Sequence, residues 1–206
     1  AANELAASGD RDDGLEGLVR YCTEEASLAA EGLIGGAQGE WLDRVRDDLE
    51  NHRSALSWLI ERNRATEAST IACGLKYFWL IRGHATEGLQ WYEEILRLPA
   101  LPPAAELRTL AGAIVLWYTQ GALDRARAAL TRALALAHGP EDMGVVANAE
   151  YLFGHVEHAA GNVSVARDWF ARSIEKFRLL AIPSGTGTAL SAMASVTLVT
   201  GDTELA

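Results

Sequence analysis

The chain has 206 residues, 49% apolar and 22% charged, which is ordinary for a soluble globular protein, suffices for a substantial core and argues against disorder. Its 18 basic and 28 acidic side chains leave a formal net charge of -10 at pH 7; with no cluster of Lys and Arg to neutralise phosphates, direct nucleic-acid binding by this segment is disfavoured. The longest apolar stretches, Leu75 to Ile81 and Ala111 to Tyr118, fall well short of the roughly 20 residues that cross a bilayer, and no basic-then-apolar signal opens the chain, so a cytoplasmic location without membrane contact is expected.

Apolar periodicity predicts helices over 15–34, 40–63, 66–82, 84–98, 104–120, 122–138, 142–160, 162–181 and 187–200, with a last one starting near Asp202 and no strand. In the first, Cys22, like Cys73 further on, lacks metal-ligand spacing; both read as packing residues of a reducing compartment. In the second, Arg44, Arg46 and Arg53 stand beside Asp43, Asp47, Asp48 and Glu50. This mixed-charge segment is most simply a solvated helix face, its functional alternative being a contact with a module outside this chain. Pro99 to Pro103, Gly139 with Pro140, and Ile182 to Gly187 are breaker-rich connectors within one array.

Glycines set the register. Gly83, Gly121, Gly161 and Gly201 recur at separations of 38, 40 and 40 residues, each closing one helical pattern and opening the next. Glycine reaches positive φ at little steric cost, which ends a helix and lets the chain reverse. Five positions after these glycines stand the small residues Gly88, Ala126, Ala166 and Ala206. Nine positions after come Tyr92, Leu130 and Phe170, and twelve after come Ile95, Ala133 and Ser173, a stripe that should pack on the preceding helix. Four positions before stand Trp79 and Trp117, and eight before stand Leu75, Ala113 and Phe153. Trp79, Trp91, Trp117 and Trp169 therefore read as core residues, not as an aromatic ligand box.

The sequence has no phosphate-binding G-x-x-x-x-G-K-[ST] loop, no HExxH, CxxC or GxSxG and no EF-hand loop, so neither catalysis nor a cofactor is expected. His155 and His158 share a helix face at i, i+3, with Glu157 off that face. Two histidines do not complete a tetrahedral site, so no metal is expected and a polar surface patch is the simpler reading.

The third unit, with Gly154, Gly161 and Ala166-x3-Phe170 and 12 residues from Gly154 to Ala166, resembles the tetratricopeptide pattern. Glu150 stands where that family usually has Trp, Glu157 where it has Tyr, and the spacing of about 40 exceeds its usual period of about 34. Residues 40–98, through Trp41-Leu42, Asn51, Ala55-Leu56, Trp58, Phe78-Trp79, Arg82-Gly83 and Glu87-Gly88, resemble the segment that follows the nucleotide-binding and winged-helix modules of bacterial STAND-type ATPases, including LuxR-family transcriptional regulators. His52 departs from that pattern, since relatives place an aliphatic residue there.

The resemblance implies an all-α fold, a right-handed superhelix of antiparallel helical hairpins forming one domain over 1–206: N-terminal helices over 1–63, then hairpins over 64–98, 104–138, 142–181 and 187–206, the last cut short, in a piece of a longer protein. It also implies that the first helix of each pair lines a concave groove, with groove positions 13, 10, 6 and 3 residues before each junction glycine. The candidate contacts so named are Tyr77, Arg108, Tyr118, Asn148, Tyr151, His155 and His158; the same count reaches Thr70, Cys73, Leu80, Ala111, Val115, Thr188, Ser191, Ser195 and Leu198. A single basic residue among them suits an uncharged or mixed ligand, or a protein helix, better than an acidic peptide terminus. Alternatively, Tyr118 and Tyr151 merely pack between repeats.

The function implied is a noncatalytic sensor or protein-interaction arm of a signal-transducing transcriptional regulator, holding a protein or small ligand in the groove and contacting an ATPase module outside this chain. Self-association through the truncated C-terminal face is expected as well. A stand-alone scaffold or adaptor is the alternative.

Overall fold

The structure, a computed structural model, describes the backbone of residues 2–137, 139 and 142–199 and their side chains from Asp12 to Leu198. All regular elements among the described residues are helices: α1 (Ala2–Gly32), α2 (Gln38–Asp47), α3 (Leu49–Glu61), α4 (Ala65–Gly74), α5 (Lys76–Ile81), α6 (Ala85–Leu96), α7 (Pro103–Thr119), α8 (Leu123–Leu136), α9 (Met143–Ala159), α10 (Val163–Leu179) and α11 (Pro183–Val199). The expected all-α class is therefore what the chain adopts. No helix among the described residues is long and apolar enough to cross a membrane.

Four boundaries differ from expectation, the first being the start of α1 at Ala2 instead of at residue 15. The helices expected over 40–63 and 66–82 are each interrupted once, at Asp48 and Leu75, yet i to i−4 hydrogen bonds run through both points: Asp48 N–H to Arg44 O and His52 N–H to Asp48 O at 3.1 Å, Leu75 N–H to Ile71 O at 3.2 Å and Trp79 N–H to Leu75 O at 3.1 Å. These are irregularities within a continuing path. The second directly follows Gly74, which approaches the backbone of Ala26 on α1 so closely that a Cβ there would overlap the carbonyl. Finally, α11 starts at Pro183, so most of the expected connector Ile182 to Gly187 is helical. Proline is favoured at a first helical position because its missing N–H would have no intrahelical partner there. Gly185 acts as a packing surface within that helix, where a Cβ would fall 2.6 Å from the Phe177 ring.

The glycine corners form as expected. Gly83, Gly121 and Gly161 have φ of +78°, +74° and +83°, and a Cβ at any of them would meet nothing within 4 Å, so backbone conformation and not space requires glycine. After each, the next N–H reaches back to a carbonyl near the helix end: His84 to Trp79 and Ala122 to Trp117 at 2.9 Å, Asn162 to Glu157 at 2.8 Å. Asn63 (φ +56°) and Ala181 (φ +52°) build the same corner, with Arg64 N–H to Leu59 O at 2.9 Å and Ile182 N–H to Phe177 O at 3.0 Å. Gly201, Ala206 and the helix expected from Asp202 lie outside the described residues.

The chain divides between Gly112 and Ala113 into two compact units. In the first, α1 presents Val19, Cys22, Ala26 and Ala29 as a single stripe that Leu33 just beyond its end continues, all at most 1% exposed; α1 lies on α3 and α4, while α6 lies on α3, α4 and α5. In the second, α8 packs on α9, α9 on α10 and α10 on α11. Neighbours run antiparallel there: Arg127, early in α8, reaches Glu157, late in α9, and Ser173 of α10 donates to the carbonyl of Ala147 of α9. The expected stripe is the core, with Tyr92, Leu130 and Phe170 fully buried and Ile95, Ala133 and Ser173 at most 1% exposed.

Candidate functional site

Asn148, Tyr151, His155 and His158 follow one another along α9 at steps of three and four, which puts them on one helix face. Around His155 this face becomes an aromatic nest. The Tyr151 ring stands edge-on to the imidazole at 4.6 Å, Phe170 of α10 does so at 5.1 Å, and Tyr118 of α7 lies 5.7 Å away. Three of the expected groove residues, Tyr118, Tyr151 and His155, are thus brought together. Phe170, expected only as core, completes the group. Asn148 and His158 flank it, half-buried.

The polar-patch reading of His155 needs correction. Its Nε2 is buried and has no hydrogen-bond partner among the described residues. Burial, followed by the proximity of His158, pushes the imidazole pKa below the ordinary histidine range, because a charged ring would lose its hydration among apolar neighbours. The folded chain therefore holds a neutral imidazole at pH 7, offering one donor and one acceptor nitrogen in an apolar, aromatic surround. No group of three or more His, Cys, Asp or Glu able to hold a metal ion occurs among the described residues.

Two buried carboxylates brace α9. Glu150, fully buried, is met by Arg172 at 2.8 Å and by Lys176 at 2.9 Å, both from α10. Glu157 accepts from Arg127 Nε of α8 at 2.7 Å and from Asn162 Nδ2 at 2.6 Å; the Arg127 guanidinium holds its carboxyl below the usual carboxylate range. These are the two positions where the tetratricopeptide pattern has Trp and Tyr. The departure noted in the sequence thus marks a change from aromatic packing to charge-assisted hydrogen bonds between helices. Between them Gly154 lies directly under Phe170, whose ring occupies the space a Cβ would need.

Tyr77 and Arg108 belong to the first unit. Tyr77 is half-buried, with the Lys76 ammonium 4.5 Å from its ring centre. Arg108 is exposed, and its carbonyl accepts the Cys73 thiol at 3.4 Å, next to a buried hydroxyl chain in which Thr109 donates to Ser69 at 2.9 Å. Both cysteines are free thiols, and burial pushes Cys22 up to about 12.

Of the tryptophans read as core, Trp79 and Trp117 are buried, whereas Trp91 and Trp169 are half-exposed. Trp169 stacks on Phe153 at 4.5 Å. Not all of the mixed-charge segment is a solvated face: Arg44 reaches Glu25 of α1, and Arg53 holds Glu87 of α6 in a two-pronged pair at 2.7 and 2.6 Å. Only Arg46 stays within its own helix, paired to Asp43 and Asp47.

No protein-family model matches the chain. Over 93% of its length it is 33% identical to proteins whose names make them candidate HTH-type transcriptional regulators, one from Mycobacterium bovis and one from each of two strains of Mycobacterium tuberculosis. The chain spans 23% of the length of these curated relatives.

Proposed function

We propose that this chain is a noncatalytic sensor or protein-interaction region of a bacterial HTH-type transcriptional regulator of the LuxR-like, STAND-ATPase kind, acting in the cytoplasm. The observation that carries this reading is the proportion of the similarity: the match runs along 93% of this chain but takes up only 23% of each relative. In those proteins the corresponding segment is one part of a larger machine. Successive helices joined by left-handed corners suit a tetratricopeptide-like array, whose extended surfaces hold partners and not substrates. The ligand or partner segment would lie against the Tyr118, Tyr151 and His155 face of α9. A desolvated neutral imidazole between aromatic rings favours an uncharged or mixed group there.

Its effect would be to bind two arrangements of the array against an ATPase module with different affinities, since a ligand that binds both equally shifts nothing. The array would also meet other copies through its C-terminal face, where Leu179 of α10 and Leu198 of α11 are 71% and 61% exposed; light scattering that stays monomeric across a hundredfold concentration range would remove that part.

Native mass spectrometry of the chain purified from its source tests the ligand claim. The expected result is a co-purifying small molecule or protein that is lost with Tyr151→Ala and with His155→Ala but retained with Arg97→Ala. The intact regulator carrying the same substitutions should lose its signal-dependent change in DNA affinity while keeping basal DNA binding. Unchanged response in both variants would overturn the assignment of this face.

A further inference from the structure

A second surface, independent of the α9 face, lies in the first unit. Along α3 runs a trough of about 390 Å³. It is lined by Arg53, Ser54, Ser57, Trp58 and Glu61 of α3, by Leu15 of α1 and by Trp91 of α6. From Arg53 to Glu61 is two turns of helix, about 12 Å of axis. Ser54 and Ser57 are exposed, and short side chains at i, i+3 let another helix approach the α3 backbone closely.

The charges around this trough are unbalanced. The guanidinium that lines it and the two beside Trp58 are already engaged: Arg53 by Glu87 and Glu50, Arg62 by Asp12, and Arg64 by Glu16 and Glu67. Arg62 and Arg64 also lie over the Trp58 ring, at 4.5 and 5.1 Å from its centre. With Glu61 added, these described groups comprise six carboxylates against three cations. Trp58, which lines the trough, is only 6% exposed, and its buried indole N–H has no acceptor among the described residues.

We infer that the α1–α3–α6 trough is a docking site for a lysine- or arginine-bearing α-helix of a partner protein. The trough combines what helix-in-groove recognition uses, two exposed small residues on α3 together with apolar and aromatic lining from α1 and α6. Carboxylates on α1, α3 and α6 surround it with the complementary sign to a cationic helix, and Trp91 supplies an aromatic wall on which a cation can rest. An anionic partner, nucleic acid included, is repelled by the same groups.

The probe is a 15-residue helical peptide with Ala and Leu at i, i+3, i+4 and i+7 and Lys elsewhere, titrated into the 206-residue chain while the tryptophan indole N–H resonances are followed. The expected result is saturable one-to-one binding that moves the Trp58 and Trp91 signals and weakens by about tenfold from 50 to 300 mM NaCl. Ser57→Arg, an exposed substitution that fills the trough and adds a cation, should weaken binding by about tenfold or more, whereas Glu175→Lys in the second unit, which also makes the chain more positive, should not. Circular dichroism checks that both variants fold. Non-saturable binding, equal effects of the two variants, or equal binding of a Glu-for-Lys peptide would overturn the proposal. So would indole shifts that grow with protein concentration alone, which would assign the trough to a second copy of the chain.

Discussion

Ala181 holds a left-handed conformation, φ +52°, at a corner of the kind that glycine makes at 83, 121 and 161. Ala181 N–H donates to Arg178 O and Ile182 N–H to Phe177 O, both at 3.0 Å, the pattern found around Gly161, where Gly161 N–H reaches His158 O at 2.9 Å. An L-residue with a Cβ costs roughly 1–2 kcal/mol in this region. Replacing it by glycine removes that cost but gives back about 0.4–1 kcal/mol through the greater freedom of the unfolded chain.

Ala181→Gly should therefore stabilise by about 0.8 kcal/mol, and Gly161→Ala should destabilise by about the same amount. For a chain of this size each change corresponds to about 2–3 °C in Tm, or about 0.4 M in urea midpoint. Both corners lie in the second unit, so if unfolding proceeds in two steps only the step belonging to Ala113–Ala206 should move. Urea titrations followed by circular dichroism and by tryptophan fluorescence read both steps. A loss of stability in Ala181→Gly, or none in Gly161→Ala, would refute the equivalence of the two corners.

Burial holds His52 and His155 below the ordinary histidine range, so as pH falls through about 6.5 the unfolded chain takes up protons before the folded one does. Stability should be level above pH 7 and decline below 6.5, by at most about 1.4 kcal/mol per pH unit for each histidine, and His155→Phe should abolish its share in urea titrations at pH 7.5 and 5.0. Glu87 and Glu157, held low chiefly by their hydrogen bonds to Arg53 and Arg127, act in a separate window: their contribution is present above about pH 4.3 and is lost as pH falls further. Arg127→Met leaves the Glu157 carboxylate, 8% exposed, without its cation, and should cost about 2 kcal/mol; adding Glu157→Gln should restore much of this, as double-mutant thermal melts would register. Gly154→Ala drives a methyl group into Phe170 and should destabilise by about 1–3 kcal/mol, whereas Gly144→Ala, whose Cβ would meet only Leu180 at 3.8 Å, should stabilise by about 0.4–1 kcal/mol in the same melts.

What a single sequence revealed here depended on whether the physical requirement had a residue type of its own. The corners at Gly83, Gly121 and Gly161 were legible because positive φ selects glycine, and the stripe of Tyr92, Leu130 and Phe170 because burial selects large apolar residues at helical spacing. The corners at Asn63 and Ala181 were not, since packing on either side enforces a conformation that the residue itself disfavours. The start of α11 was obscured because Pro183, Gly185 and Gly187 read as breakers; Pro183 instead begins the helix and Gly185 makes room for Phe177.

At the candidate site, Tyr118, Tyr151 and His155 were found by counting from the junction glycines. Phe170 was not counted because it sits on the second helix of its pair. The trough beside Trp58 was invisible in the sequence, as it is lined from α1, α3 and α6 by residues as far apart in the chain as Leu15 and Trp91. Glu150 and Glu157 gave the clearest warning: a carboxylate in place of a core aromatic either abolishes the helix pair or finds a cation, and the cations stand on α8 and α10.

The corner residues 63, 83, 121, 161 and 181 lie 20, 38, 40 and 20 positions apart, so the step that repeats is one helix with its corner, and a hairpin is two such steps. At 181 the chain reverses between α10 and α11 just as it does at 161 between α9 and α10, which makes these three helices consecutive equivalents and obliges α10 to bury two faces. Phe170 stands on both. It forms one core cluster with Ala166 and Val196 of α11, and it meets the rings of Tyr151 and His155 on α9. Interiors this dense repack in discrete arrangements and do not yield gradually. A ligand that displaces His155 must therefore reposition Phe170, and Phe170 cannot be repositioned without disturbing the seat of α11.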